Sequence, residues 1–236
     1  MRAWLNLRLT LPERVAIFRS GLEALGYTVQ MGCPSTAESG DVLVTWNRIG
    51  AGDHAARMFT DNGLPVLVTE NAAWGNQFAG SCWYALSRTW HNLSGYFPVG
   101  DASRWDSLGV DLAQWRTSGE TVVLPQRGIG PREVAMPRDW TKQQSGRVRL
   151  HPGRYPAVPL EQDLAKAGKV VTWGSGAAIK ALLWGVPVES HLPRWVGEQD
   201  NTDSGRLSMF RRLAWGQARW DEIASGESFA RLLGTQ

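Results

Sequence analysis

The sequence is poor in the residues that hold small proteins together covalently or through metals. Of its 236 residues, only Cys33 and Cys82 are cysteines, which is too few for a disulfide framework or a thiolate zinc site. The four histidines have no short metal-ligand spacing, so we expect no structural metal. No stretch of about 18 apolar residues occurs, and this argues against a membrane-spanning helix.

The first residues of the chain also lack the pattern of an export signal. Asn6 and Arg8 interrupt the apolar residues, and no small-residue cleavage site follows them. The sequence therefore predicts a cytoplasmic protein.

Lysine is scarce as well, since the 25 basic side chains are 21 arginines and 4 lysines. The planar guanidinium of arginine suits phosphate and carboxylate groups, although a GC-rich coding sequence would produce the same bias. The net charge is +3 and the isoelectric point is about 9.1. Thirteen tryptophans are present, and we expect most in the core and a few as stacking platforms for a sugar or a base.

The first half of the chain alternates between strand and helix patterns. Apolar residues in short runs or at alternate positions predict strands at 3–9, 27–31, 41–46 and 65–69. Apolar residues at helical spacing predict helices at 12–25 and 51–62. Residues 71–118 are predicted to be mostly irregular, with short strands near 83–86. Strands that alternate with helices indicate a mostly parallel sheet.

A second alternating series begins near Glu120. The predicted strands lie at 121–125, 147–150, 169–173 and 186–188. The predicted helices lie at 137–144, 160–167, 177–184 and 206–220. The sequence therefore predicts an α/β protein of two Rossmann-like lobes, 1–118 and 119–236, with the last helix crossing back to the first lobe.

Three polar segments follow strands of the second half, where ligands of open parallel sheets bind. They are Gln126-Arg127-Gly128-Ile129-Gly130, Arg149-Leu150-His151-Pro152-Gly153, and Thr172-Trp173-Gly174-Ser175-Gly176. The third leads directly into a helix, whose first backbone N–H groups favour an anion. Two alternatives stay open: Ser175 as an ordinary N-cap, and His151 as an ordinary loop histidine.

The order of these segments resembles the donor half of two-lobed, GT-B type glycosyltransferases, above all capsule-type Kdo transferases and bacterial sialyltransferases. The likeness covers about residues 121–228 and includes His151-Pro152, the Ser175 turn and Gly185-Val186-Pro187-Val188. The C-terminal segment, with residues 213–217 and 220–226, resembles the C-terminal segments of bacteriophage-encoded glycosyltransferases of this type. That resemblance would place the protein in the host cytoplasm. The resemblance implies a compact GT-B-like fold and a bound donor phosphate. The implied donor-binding residues are Gln126, Arg127, Gly128, Arg149, His151, Thr172, Gly174, Ser175, Gly176 and Glu189, the last for the ribose.

Polar strand ends in the first half supply the candidates for the acceptor side. The acceptor-binding candidates are Trp46, Asn47, Arg48, Asn71, Trp90 and Asn92. Glu70, directly after the strand 65–69, is the first candidate for the general base, and His91 is the second. Asp53 and Glu189 are weaker candidates. His151 is the candidate that assists departure of the nucleoside phosphate.

These residues together predict transfer of a sugar from a nucleotide-sugar, which serves as co-substrate without a further cofactor. The sequence has no Asp-x-Asp motif, which favours a metal-independent reaction. Two acceptors stay open: a hydroxymethylated pyrimidine in double-stranded DNA, which the basic composition favours, and a surface or lipid-linked saccharide. A non-catalytic nucleotide- or DNA-binding protein on the same fold is the alternative of a different class.

Overall fold

The computed structural model describes residues 1–7, 10–90, 95–128, 132, 134–151 and 158–234. Its strands are β1 (Arg2–Asn6), β2 (Thr28–Met31), β3 (Val42–Trp46), β4 (Val66–Asn71), β5 (Gln77–Phe78), β6 (Ser81–Arg88), β7 (Glu120–Leu124), β8 (Arg147–Val148), β9 (Ala167–Thr172), β10 (Val188–Ser190) and β11 (Gln217–Arg219). Its α-helices are α1 (Pro12–Ala24), α2 (Ala51–Asp61), α3 (Ser103–Asp106), α4 (Leu160–Asp163), α5 (Gly176–Leu183), α6 (Asp203–Ala214), α7 (Trp220–Ala224) and α8 (Glu227–Leu233). A 3₁₀ helix spans Trp140–Gln143. In the described part of the chain no helix is long and apolar enough to cross a membrane.

The chain forms two compact units, each with its own sheet. Unit 1 contains residues 1–101 and 214–236, and unit 2 contains residues 102–213. This division differs from the predicted boundary at 118/119 in two ways. Residues 102–118 belong to unit 2, where the Ala113 and Arg116 amides bond to carbonyls at the end of α5. The last twenty or so residues return to unit 1 because β11 pairs with β6 there.

The sheet of unit 1 has the strand order β11-β6-β4-β3-β1-β2, with β5 paired to β6. Strands β1 to β4 are parallel, whereas β6 is antiparallel to both β4 and β11. One face packs against α2, whose Ala55, Ala56 and Phe59 contact residues of β3 and β4. On α1, Phe18 contacts Tyr84 of β6 and Phe229 of α8. The short strand predicted near 83–86 lies within β6, an eight-residue strand that extends two residues further at each end.

The C-terminal segment docks on α1 through a close backbone approach. A Cβ atom at Gly21 would overlap the carbonyl oxygen of Ile223 in α7, so only glycine allows this contact. The Ser20 hydroxyl donates to the Ala224 carbonyl at 3.1 Å. The predicted helix 206–220 is therefore wrong in its second half. It ends at Ala214, and β11 and α7 follow.

The sheet of unit 2 is fully parallel in its described strands, with the order β10-β9-β7-β8. Val123 and Val171 lie on one face, where they pack against Trp140 of the 3₁₀ helix. Helix α5 lies directly after β9 and buries Ala178, Ile179, Ala181 and Leu182. Both units are thus mixed α/β with parallel strands and helices, which confirms the predicted fold class. Because the strands run in one direction, the loops after β7, β8 and β9 share one edge of the sheet.

Candidate functional site

A cavity of about 360 Å³ lies at the carboxyl edge of the unit 2 sheet. It lies among the loops that follow β7 and β8, and the walls are Pro125, Gln126, Arg127, Gly128, Met136, Arg138, Leu150 and His151. Two predicted segments, 126–130 and 149–153, therefore meet in one place through their described parts; residues 129–130 and 152–153 lie outside the described residues. Met136 and Arg138 were not among the predicted site residues. Arg138 lies in the predicted helix 137–144, and only the tertiary structure shows that it lines the cavity.

The third predicted segment, at the end of β9, is held by hydrogen bonds of its own residues. The Thr172 hydroxyl is fully buried, donates to the Leu124 carbonyl at 2.8 Å and accepts from the Ser175 amide at 2.9 Å. Thr172 therefore ties the turn to β7. Ser175 caps α5, since its hydroxyl oxygen accepts from the Ala177 amide at 3.3 Å. The cap uses this oxygen as an acceptor, so its O–H proton can still point elsewhere.

Two glycines of this turn differ in their surroundings. Gly174 has φ +67°, and a Cβ there would overlap Leu192. At Gly176, the first residue of α5, a Cβ atom would have no neighbour within 4 Å. Glycine is thus needed at position 174 for the conformation of the turn and its packing against Leu192. At position 176 the absence of a side chain leaves open space at the N-terminus of the helix. The Gln126 amide donates to the Gly174 carbonyl at 3.4 Å and joins this turn to the cavity wall.

The electrostatic environment of the cavity is positive. Partial desolvation lowers the pKa of His151 from its ordinary 6.5, and the charges of Arg127 and Arg149 lower it further. Arg149 itself is paired, with its Nε 2.5 Å from an Asp163 carboxylate oxygen and one terminal nitrogen donating to the Val158 carbonyl. By contrast, Arg127 and Arg138 form no ion pair with any residue that the structure describes. They are the cations that a ligand in the cavity would meet.

Glu189 lies within β10 and not after it, so the predicted position beyond the strand end is wrong. Its carboxylate is 2.7 Å from Lys169 Nζ and 2.9 Å from His191 Nε2, and both partners lower the pKa of Glu189, Lys169 more strongly. The Trp140 indole donates to His191 Nδ1 at 3.0 Å, so a neutral His191 carries its proton on Nε2. Glu189 therefore ends a network that positions the loop after β10.

Trp46 is the last residue of β3 in unit 1, and Asn47 and Arg48 follow it; the side chains of Trp46 and Arg48 are engaged within the unit. The Arg48 side chain is 2% exposed, pairs with Asp53 at 3.1 Å and donates to the Thr89 carbonyl at 2.6 Å. Its guanidinium also lies 4.4 Å from the centre of the Trp90 ring. Arg48 thus joins α2 to the loop after β6. Asn47 has φ +61°, and its side-chain oxygen is buried without a hydrogen-bond partner among the described residues.

Glu70 is half-buried and lies inside β4, which extends to Asn71 because β6 pairs alongside it. The predicted strand end at Thr69 is therefore wrong by two residues. The Asn47 amide donates to the Thr69 carbonyl at 3.2 Å, so Asn47 lies beside this end of β4. Asn71 accepts from the Asn76 amide group at 2.9 Å and projects to the opposite face from Glu70. Asn71 thus closes the following turn and does not orient the Glu70 carboxylate.

His91 and Asn92 lie outside the described residues. Among the residues that the structure describes, no three His, Cys, Asp or Glu side chains are grouped so that they could hold a metal ion.

Two solved structures have a fold similar to that of this chain. The first, the β-Kdo 2,4-transferase of KpsC from Thermosulfurimonas dismutans, is 12% identical, with a TM-score of 0.51 over 95% of this chain and 98% of that chain. The second, the β-Kdo 2,7-transferase of KpsC from the same organism, is 9% identical, with a TM-score of 0.50 over 100% of both chains. No family model matches the sequence, and no curated protein matches it significantly. At this identity the likeness concerns the fold alone, which is the Rossmann-like α/β fold of these two transferases.

Proposed function

We propose that this protein is a glycosyltransferase that moves a sugar from a nucleotide-sugar donor to a hydroxyl group of an acceptor. The observation that carries the proposal is the cavity of unit 2, where Arg127, Arg138 and His151 surround a space large enough for part of a nucleotide. The similar fold of two Kdo transferases supports the same reaction class. A nucleotide-sugar brings the phosphates that such a cationic wall would bind.

The donor phosphate in this proposal lies between His151 and the open space at Gly176. The acceptor oxygen attacks the anomeric carbon, and the bond between that carbon and the phosphate oxygen breaks with its electron pair on the phosphate. The growing negative charge is stabilised by Arg127, by His151 and by the first N–H groups of α5. Ser175 adds a hydroxyl proton, which its capping role leaves unused.

Glu70 is the proposed general base, which takes the proton of the acceptor hydroxyl. Its position at the carboxyl end of a parallel strand supports this role, because side chains there line the ligand crevice of α/β sheets. Asn47 lies next to this strand end, and its buried side-chain oxygen has no donor among the residues that the structure describes; an acceptor hydroxyl would supply one.

Two acceptor classes remain in the proposal. The names of the two similar structures favour a saccharide. The arginine content and the isoelectric point of about 9.1 favour DNA that carries a hydroxymethylated pyrimidine. Incubation of the protein with a panel of nucleotide-sugars and either acceptor, followed by mass spectrometry, separates them by the mass gained. Donor binding without any gain in acceptor mass would favour a non-catalytic nucleotide-binding protein.

The donor site itself is tested by calorimetry with the nucleotide that gives transfer. We expect His151→Ala to weaken nucleotide binding without a change in thermal stability. Ser175→Ala should cost about 1 kcal/mol of binding for one ordinary hydrogen bond, and more if its proton reaches the phosphate charge. His54, exposed on α2 of unit 1, provides the matched control His54→Ala. Unchanged nucleotide affinity in both site variants would refute the donor-site assignment.

A further inference from the structure

Arg14, in the first turn of α1, is a buried cation whose charge no described residue neutralises. It is 6% exposed and forms no hydrogen bond or ion pair with any residue of the described chain. Its Nε is buried without an acceptor. The neighbouring Glu13 is exposed and does not pair with it. Buried arginines are normally paired, so this one lacks its usual partner.

Aromatic rings fix the position of the Arg14 guanidinium. Its central carbon lies 3.7 Å from the centre of the Trp46 ring and 4.8 Å from that of Tyr84. Trp46 and Tyr84 meet edge to face at 5.7 Å, and Tyr84 stacks on Trp220 at 5.8 Å. The rings attract a cation, but none of its five N–H groups donates to the Tyr84 hydroxyl or to any other described residue. The guanidinium is thus held in place with its donors unused.

The position of Arg14 in its helix makes an unpaired cation still less favourable. Arg14 lies at the N-terminal end of α1, where the helix dipole is already positive and a cation is unfavourable. No side chain caps this helix, and Pro12 occupies its first turn. The Arg14 guanidinium and the backbone N–H groups of Glu13 and Arg14, which no side chain of a described residue caps, thus belong to one helix turn. Both are groups that bind an oxyanion.

Arg14 also lies at the edge of the sheet where ligands of parallel α/β proteins bind. Helix α1 follows β1, and Trp46 is the last residue of β3, so Arg14 lies at the carboxyl edge of the parallel strands. Trp46 pairs with Thr69 across the sheet, and Glu70 projects to the other face. Arg14 and Glu70 therefore lie at the same edge on different faces.

We propose that Arg14 and the first turn of α1 bind an oxyanion, the carboxylate or phosphate group of a ligand held by unit 1. Binding of the anion needs no glycosyl transfer. The proposed function assigns the acceptor to unit 1. If that function holds, the anionic group bound by Arg14 belongs to the acceptor.

Calorimetric titration with sodium phosphate and with sodium acetate tests this site at constant ionic strength in chloride. The parent protein carries Arg127→Gln and Arg138→Gln, which removes the two cavity arginines without an ion pair to a described residue, and any anion binding left in unit 2 is the same with and without the change at Arg14. We expect the parent to bind phosphate, acetate or both, and the added change Arg14→Met to lower that affinity at least tenfold. Binding of phosphate alone points to a phosphate-bearing ligand, and binding of acetate as well points to a carboxylate.

Thermal unfolding in chloride supplies the second measurement. Arg14→Met should unfold at the same temperature as the parent or higher, because the methionine removes a buried charge without a partner. The control is Arg19→Met on the same helix, where the arginine is exposed and pairs with Glu23 at 3.8 Å. Three results overturn the proposal: a parent that binds neither anion, an Arg14→Met variant that binds as the parent does, or an Arg14→Met variant clearly less stable than the control.

Discussion

Substitution of Gly176 by a residue with a side chain should weaken donor binding without lowering the stability of the protein. Gly176 is the first residue of α5, its φ is not in the left-handed region, and a Cβ there would meet no atom within 4 Å. Alanine therefore fits without strain and removes the conformational freedom of glycine, which favours the folded helix by up to about 1 kcal/mol. Gly176→Ala and Gly176→Leu should both unfold at the wild-type temperature or above it.

Nucleotide binding should change in the opposite direction. In the proposed site the space in front of Gly176 holds the donor phosphate, and the Leu side chain would occupy that space. Loss of one charge-assisted hydrogen bond costs about 1.5–3 kcal/mol, which is roughly a tenfold to hundredfold loss of affinity. Alanine, which adds one methyl group, should cost less than leucine.

Calorimetry with the donor nucleotide and thermal unfolding of the same preparations give the two quantities. Gly174→Ala is the matched control, because this residue has φ +67° and its Cβ would overlap Leu192. It should lose stability by about 1–2 kcal/mol or more from the backbone alone. Wild-type affinity in Gly176→Leu, with the fold intact, would show that no phosphate lies at this helix end.

Three further predictions concern other parts of the chain. Glu70→Gln should bind the donor normally but turn over about a hundred to ten thousand times more slowly, and near-normal turnover would move the base elsewhere. Nucleotide affinity should rise as the pH falls through about 6.5, because the bound phosphate raises the lowered pKa of His151. The ligand-free protein should lose stability over the same range, because the unfolded state, in which the pKa of His151 is not lowered, binds more protons. His151→Ala should flatten both pH profiles in calorimetry and unfolding experiments. Gly21→Ala should destabilise the protein by about 1–3 kcal/mol in denaturant titration, since its Cβ would overlap the Ile223 carbonyl, and a wild-type midpoint would contradict this packing.

Local patterns were reliable where the local interactions also decide the structure. The Ser175 cap, the Gly174 turn and helix α5 depend on neighbours within a few residues, and the structure has all three. The parallel strands β3 and β4 followed from continuous apolar runs, since both faces of these strands are covered. The donor-side loops could be placed together for the same reason, because parallel strands deliver their ends to one edge.

Other features depend on partners far along the chain. A polar residue after a strand suggested ligand binding for Arg48, yet its acceptor is the Thr89 carbonyl, 41 residues later. Strand β6 was predicted only as a short strand near 83–86, and it is stabilised by pairing with β4 and β11 on its two sides. The 206–220 helix pattern continued past Ala214 because nothing in the sequence shows that Gln217 to Arg219 complete a sheet.

The sequence by itself determined the class of the fold, the positions of most strands and helices, and the place of the polar segments after β7, β8 and β9. Hydrophobic periodicity and helix capping act within a few residues, so they can be deduced directly from the sequence. Only the tertiary structure decided which arginines are engaged. Arg48 and Arg149 are paired within the fold, Arg127 and Arg138 line the cavity, and Arg14 is buried on Trp46 with no counter-charge from any residue that the structure describes. A guanidinium has the same chemistry at every position, and its role depends on the groups that the folded chain brings within hydrogen-bonding distance.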